Sequence, residues 1–114
     1  MSVRIKRVYE EPAADDGERI LVDRLWPRGI SKEKADFEEW MKDVAPSTAL
    51  RKWFDHRPER WAEFQTRYRD ELKGNPVLDD LRKRAAAGTV TLLYGSRNTK
   101  FNHAAVLAEV LDKV

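Results

Sequence analysis

Apolar residues fall along this chain in two kinds of run, short β-rich stretches and stripes spaced at three to four, and their succession predicts a layered α/β domain. Val3 and Ile5 alternate with Arg4 and Lys6 and lead to Val8 and Tyr9, which predicts a strand over residues 3–9. Residues 11–17, with Pro12 and the Asp16-Gly17 pair, read as a loop, and a second strand follows over residues 19–25. A link of about nine residues is too short for an ordinary helical crossover. The two strands are therefore antiparallel neighbours or are joined irregularly, and the orientation of the first is open.

Phe37, Trp40, Met41 and Val44 have helical spacing, so residues 32–46 are read as helix, with a short strand over 37–44 as the alternative. Ser47 is placed to cap a helix carrying Leu50, Trp53 and Phe54. Trp61, Phe64, Tyr68 and Leu72 form the stripe of an amphipathic helix from Pro58 to Lys73. Asn75 and Pro76 open the next helix, Val77, Leu81 and Ala85 form its buried row, and Gly88 stands where it should stop. The β-branched, apolar run Thr89–Tyr94 predicts another buried strand, broken at Gly95-Ser96-Arg97-Asn98. A last helix carries His103, Leu107, Val110 and Val114 on its inner stripe.

Composition narrows the function classes. The 114 residues fit one domain spanning 1–114, and 22 basic against 20 acidic residues, net +2, argue against nucleic acid as the partner. The absence of cysteine excludes disulfides, thiolate zinc sites and cysteine nucleophiles. No apolar run approaches the roughly 20 residues that span a bilayer, and the start Met1-Ser2-Val3-Arg4-Ile5-Lys6 lacks the apolar core of a signal peptide, so a soluble cytoplasmic protein is expected. Basic side chains are richer in arginine than in lysine, which suits bidentate recognition of carboxylate or phosphate wherever several converge.

Chemistry concentrates where the apolar strand near 20–25 empties into Asp23, Arg24, Trp26 and Arg28, with Pro27 and Gly29 stopping it. Ligands of open α/β sheets sit beyond the carboxyl ends of the strands. If the strands at 20–25 and 89–94 are parallel neighbours, Ser96, Arg97, Asn102 and His103 join that edge, and the free N–H groups of the last helix point to it. Arg24, Arg28 and Arg97 would then bind charge, Trp26 and Ser96 would touch the ligand, and Asn102 would bond the ligand or His103. His103 would move a proton while Asp23 orients a partner. The plainer alternative has Asp23 in a structural ion pair and His103 bonded to backbone.

Other constellations are weaker. Trp26, Trp40, Trp53 and Trp61 could form stacking platforms, but Trp53 and Trp61 lie on apolar stripes and read as core. His56 and His103 lack metal-ligand spacing, and Ser96 lacks the flanking glycine of a nucleophile elbow. Nothing in the pattern calls for a metal or cofactor.

The segment 21–31 (LVDRLWPRGIS), Ala45-Pro46-Ser47, Leu50 to Phe54, Trp61 with Phe64 and Tyr68, and Leu92 to Tyr94 followed by Asn102-His103-Ala104 together resemble the YeaO-like branch of domain-of-unknown-function family 488. The resemblance covers essentially the whole chain. It implies a compact three-layer α/β domain, a small, mainly parallel sheet flanked by helices, in a bacterial or archaeal cell. It also implies a strand near 37–44, and it sets Asn102 where the wider family often has cysteine, which excludes a thiol mechanism here. The expected function is a pocket at the strand ends for a small phosphate- or carboxylate-bearing ligand, in an enzyme or a binding protein. The alternative is a non-catalytic nucleic-acid or protein-interaction module, which a continuous basic face along 51–69 would favour. No membrane role is expected, and either a monomer or a homo-oligomer is compatible with the pattern.

Overall fold

Four parallel strands form the sheet, in the order β1 (Ser2–Arg7), β4 (Thr89–Tyr94), β2 (Glu18–Leu21), β3 (Glu39–Trp40). The structure, a computed structural model, describes residues 2–33 and 35–112. Helices α1 (Thr48–Phe54), α2 (Trp61–Leu72), α3 (Pro76–Ala87) and α4 (His103–Asp112) complete the element set, with single 3-10 turns at Ala14–Asp16, Lys42–Val44 and Pro58–Arg60. The predicted α/β class with a small parallel sheet and flanking helices is the one found.

The alternation of each strand divides the core in two. Ile20, Val22, Val90, Leu92 and Tyr94 pack with Leu50, Phe64, Tyr68, Leu81 and Leu107 of the four helices. The intervening positions, Val8, Leu21 and Leu93, face the other way and meet Ile30, Phe37 and Trp40. All four helices thus pack on one face. The opposite face meets the irregular link of residues 8–17 and, after β2, Ile30 and Phe37, which make the third layer.

The link between β1 and β2 is irregular, and β4 lies between the two strands. Residues 8–17 return from the carboxyl end of β1 to the amino end of β2 across the face away from the helices. Thr91 Oγ1 donates to the Asp16 carbonyl at 2.7 Å, and Lys6 Nζ donates to the Glu11 carbonyl at 2.8 Å. Asp16 is the keystone of the link: its carboxylate accepts from the Ala13 N–H at 3.0 Å, from Lys6 at 3.2 Å and from the buried Arg19 guanidinium.

Local signals placed most boundaries. Ser47 Oγ accepts from Leu50 N–H at 3.1 Å, and Asn75 Oδ1 accepts from Val77 N–H at 2.9 Å with Pro76 in the first turn. Among the described residues of 32–46 the expected helix is not formed. Glu39 and Trp40 instead pair with Ile20 and Leu21 as β3, because Trp40 completes the apolar cluster on the second face, and a 3-10 turn follows. The strand expected over 19–25 ends at Leu21, although Val22 N–H still reaches the Leu93 carbonyl at 3.0 Å. In α3, Leu81 and Ala85 are buried as expected, but Leu78 rather than the half-buried Val77 is the first buried position of the row. Trp53 and Trp61 are half-buried rather than core; Val114 lies outside the described residues.

Tyr68 is fully buried and donates its hydroxyl to the Val44 carbonyl at 2.7 Å, tying α2 to the turn before α1. Burial, chiefly, pushes this hydroxyl far above the ordinary tyrosine value, with the charges of Glu71 and Asp23 adding to it. A neutral form favoured by folding contributes stability below about pH 10, and that contribution falls by about 1.4 kcal/mol per pH unit above it. Tyr68→Phe is expected to cost about 1–3 kcal/mol at neutral pH, because the Val44 carbonyl loses its donor. The gap to wild type should narrow from pH 10 upward; urea midpoints of both proteins across pH 7–11 measure it, and a constant gap would refute the argument.

Candidate functional site

Because every strand runs the same way, the carboxyl ends of β1, β2 and β4 open on one edge, and an open cleft of about 770 Å³ lies there. Asp23, Arg24, Trp26, Arg28, Ser96, Arg97, Asn102 and His103, all singled out from the sequence, line it. β2 and β4 are adjacent and parallel, as that convergence requires.

Asp23 joins the two strand ends. Its Oδ2 accepts from Gly95 N–H at 2.8 Å, and its Oδ1 lies 3.1 Å from His103 Nε2. The same Nε2 is 2.9 Å from the Val22 carbonyl. Two acceptors around one ring nitrogen put the proton on Nε2, and the alignment toward Val22 leaves the buried Asp23 Oδ1 without a well-formed hydrogen bond. The imidazole is thereby fixed in orientation, edge-on to the Tyr68 ring. Asp23 and His103 form a carboxylate–imidazole pair, charged on both sides only when the ring is protonated.

The remaining predicted residues divide into cleft groups and framework. Arg24 donates to the carbonyls of Ala45 and Pro46, at 3.0 Å each, and latches the segment before α1. Asn102 caps α4 through Ala105 N–H at 2.9 Å and donates to the Asn98 carbonyl at 3.0 Å, so both ends of its amide are held by backbone. Trp26 donates to the Ile30 carbonyl and packs on Phe37 and Trp40. Ser96 accepts Arg7 Nε on its carbonyl at 3.0 Å. Arg28 and Arg97 are exposed, and among the described residues neither guanidinium is in an ion pair.

Sequence reasoning missed Arg7, Tyr9, Leu25, Arg51, Lys52, Phe101, and the pair Asp55-His56 as cleft residues. Arg7 and Tyr9 arrive because β1 is parallel to β4, which the alternation of Val3 and Ile5 leaves undecided. Asp55 and His56 end α1 in the left-handed region, φ 48° and 53°, the two non-glycine residues with positive φ among those described. A helix ending at Asp55-His56-Arg57-Pro58 without a glycine was the available signal, since some residue must then make that turn. Among the described residues, no three of His, Cys, Asp and Glu stand together as a metal-binding group.

A small parallel α/β domain with helices on one face and a cation-lined cleft at the strand carboxyl ends is the class that fold and site define. The chain belongs to the YeaO-like DUF488 family: residues 2–114 match the model described as the inactive DUF488-N3 subclade. An uncharacterized protein of Mycobacterium tuberculosis is 48% identical over 110 residues, covering 96% of this chain and 93% of its own. YeaO of Escherichia coli is 44% identical over 116 residues, covering 97% of each. No solved structure matches the chain. Among the described residues no helix is long and apolar enough to cross a membrane.

Proposed function

We propose that the cleft binds a small anionic ligand bearing phosphate or carboxylate groups, and binds it without turnover. The observation that carries this reading is the imbalance of the lining. Arg7, Arg24, Arg28, Arg51, Lys52 and Arg97 face two carboxylates, Asp23 and Asp55. Asp23 is engaged by Gly95 and His103, and Asp55 lies 3.6 Å from Arg57. Arg28, Arg51, Lys52 and Arg97 are in no ion pair among the described residues, and an anion is the group that would balance them. The description of the subclade as inactive supports binding over catalysis.

The interaction-module reading draws less support. The stretch 51–69 is not a continuous basic face: Glu63 pairs with Arg67, Glu109 with Arg69, and Arg60 and Arg67 lie over the Trp53 ring. Phosphate or sulfate at about 100 times its dissociation constant is expected to raise stability by about 2.7 kcal/mol. Arg28→Ala should lose most of that gain and keep the fold, because the side chain is exposed and in no ion pair among the described residues. Melting temperatures at fixed ionic strength, with chloride as control, read the effect. Equal responses of wild type and variant would overturn the proposal.

A further inference from the structure

Three large apolar side chains are exposed among the described residues, Tyr9 at 46%, Leu25 at 60% and Phe101 at 36%. Scattered exposed apolar residues are ordinary, but all three of these line the cationic cleft. A bare phosphate or small carboxylate would satisfy the arginines and leave these surfaces wet. The cleft, about 770 Å³, also has far more room than one phosphate fills and lies in the range of sites for small organic ligands.

Two of the three are aromatic rings already fixed in place. Tyr9 donates its hydroxyl to the Arg28 carbonyl at 2.9 Å, and the Arg7 guanidinium lies 5.0 Å from its ring centre. Phe101 lies 5.3 Å from the Trp61 ring, and its N–H donates to Asn98 Oδ1 at 2.8 Å. Rings held in this way stack on a ligand with little ordering cost. Tyr9 bonds directly to the backbone of Arg28, one of the unpaired cations, so an aromatic plate and a phosphate-binding charge share one frame.

Resting on the anion-binding reading, we propose that the ligand is a nucleoside phosphate, its phosphates on Arg28 and Arg97 and its base on Tyr9 or Phe101. Several unpaired cations suit the charge of a diphosphate better than a single carboxylate. Planar bases supply the flat apolar surface that the rings would cover, as in aromatic recognition of nucleotides generally. A free nucleotide and the phosphorylated end of a strand present the same chemistry.

Calorimetric titration of the full chain with the four ribonucleoside diphosphates, with pyrophosphate, and with a 5′-phosphorylated trinucleotide tests this at fixed ionic strength. At least one diphosphate is expected to bind about tenfold more tightly than pyrophosphate, the factor that base stacking typically adds. Tyr9→Ala with Phe101→Ala should abolish that margin, measured as the ratio of diphosphate to pyrophosphate affinity in the same variant, whatever loss of the Tyr9–Arg28 bond does to both. Phe101→Leu alone, which keeps apolar bulk beside Trp61, should reduce the ratio where the base stacks on Phe101 and leave it unchanged where it stacks on Tyr9. If pyrophosphate and all four diphosphates bind alike, the nucleoside is refuted and the anion cleft stands. If none of them binds, the anion cleft itself falls. A trinucleotide tighter than any mononucleotide assigns the strand end as the source, and the reverse order assigns the free nucleotide; both retain the nucleoside phosphate.

Discussion

Gly17→Ala is expected to destabilise the protein by about 4 kcal/mol or more, the range reached when a backbone position cannot accept a side chain. Gly17 has φ 66° and ψ −137°, a conformation essentially reserved for glycine, and a Cβ there would stand 2.2 Å from the Thr89 carbonyl oxygen. The neighbour is strand backbone, so relief requires the amino ends of β2 and β4 to separate. Gly74, with φ 74° and open space around it, isolates the conformational part. Gly74→Ala should cost only about 1–2 kcal/mol. Urea midpoints of the two variants decide the matter; equal losses would show that the contact with Thr89 relaxes at little cost.

Asp16→Ala is expected to cost about 3 kcal/mol, near the lower end for removing one member of a buried ion pair. The side chain is buried, and its loss would strand the buried Arg19 guanidinium, free the Ala13 N–H and unpair Lys6 together. Among the described residues, the Arg19 guanidinium would retain only its Nε bond to the Asp36 carbonyl at 2.7 Å. The pH dependence has a definite sign. The Ala13 N–H first, and then Lys6 and Arg19, hold the Asp16 carboxyl below the usual range. A depressed carboxyl contributes stability above about pH 4, and that contribution is lost as pH falls through the folded value. The difference between wild type and Asp16→Ala should therefore shrink in acid. A difference that grows below pH 4 would contradict the role given to the crossover.

The convergence of the site depended on two strand ends that are legible one at a time. Each apolar run closes on polar punctuation, at Asp23 to Arg28 and at Gly95 to Arg97, and parallel pairing of β2 with β4 brings both to one edge. What each side chain does there was not legible. Asn102 and Trp26 carry the same polar groups whether they meet ligand or backbone, and the fold gives those groups to Ala105, Asn98 and Ile30.

Interactions within a few residues could be read from the sequence by itself. Ser47, Asn75 with Pro76, and the stripe Phe64, Tyr68, Leu72 determined α1, α3 and α2, because capping bonds and helical spacing act over one turn or two. The β-branched and largely apolar run Thr89–Tyr94 determined β4 as a strand buried on both faces. Tertiary structure decided whatever depends on a distant partner. Glu39 and Trp40 are a strand because Ile20 and Leu21 offer free backbone groups and the second-face cluster takes the Trp40 ring; their own spacing favours a helix. β1 runs parallel to β4 because residues 8–17 cross the sheet on bonds to Thr91 and Lys6, and that direction alone carries Arg7 and Tyr9 into the cleft. Hydrogen-bond ladders and packed faces join residues tens of positions apart, and such pairings have no counterpart in local periodicity.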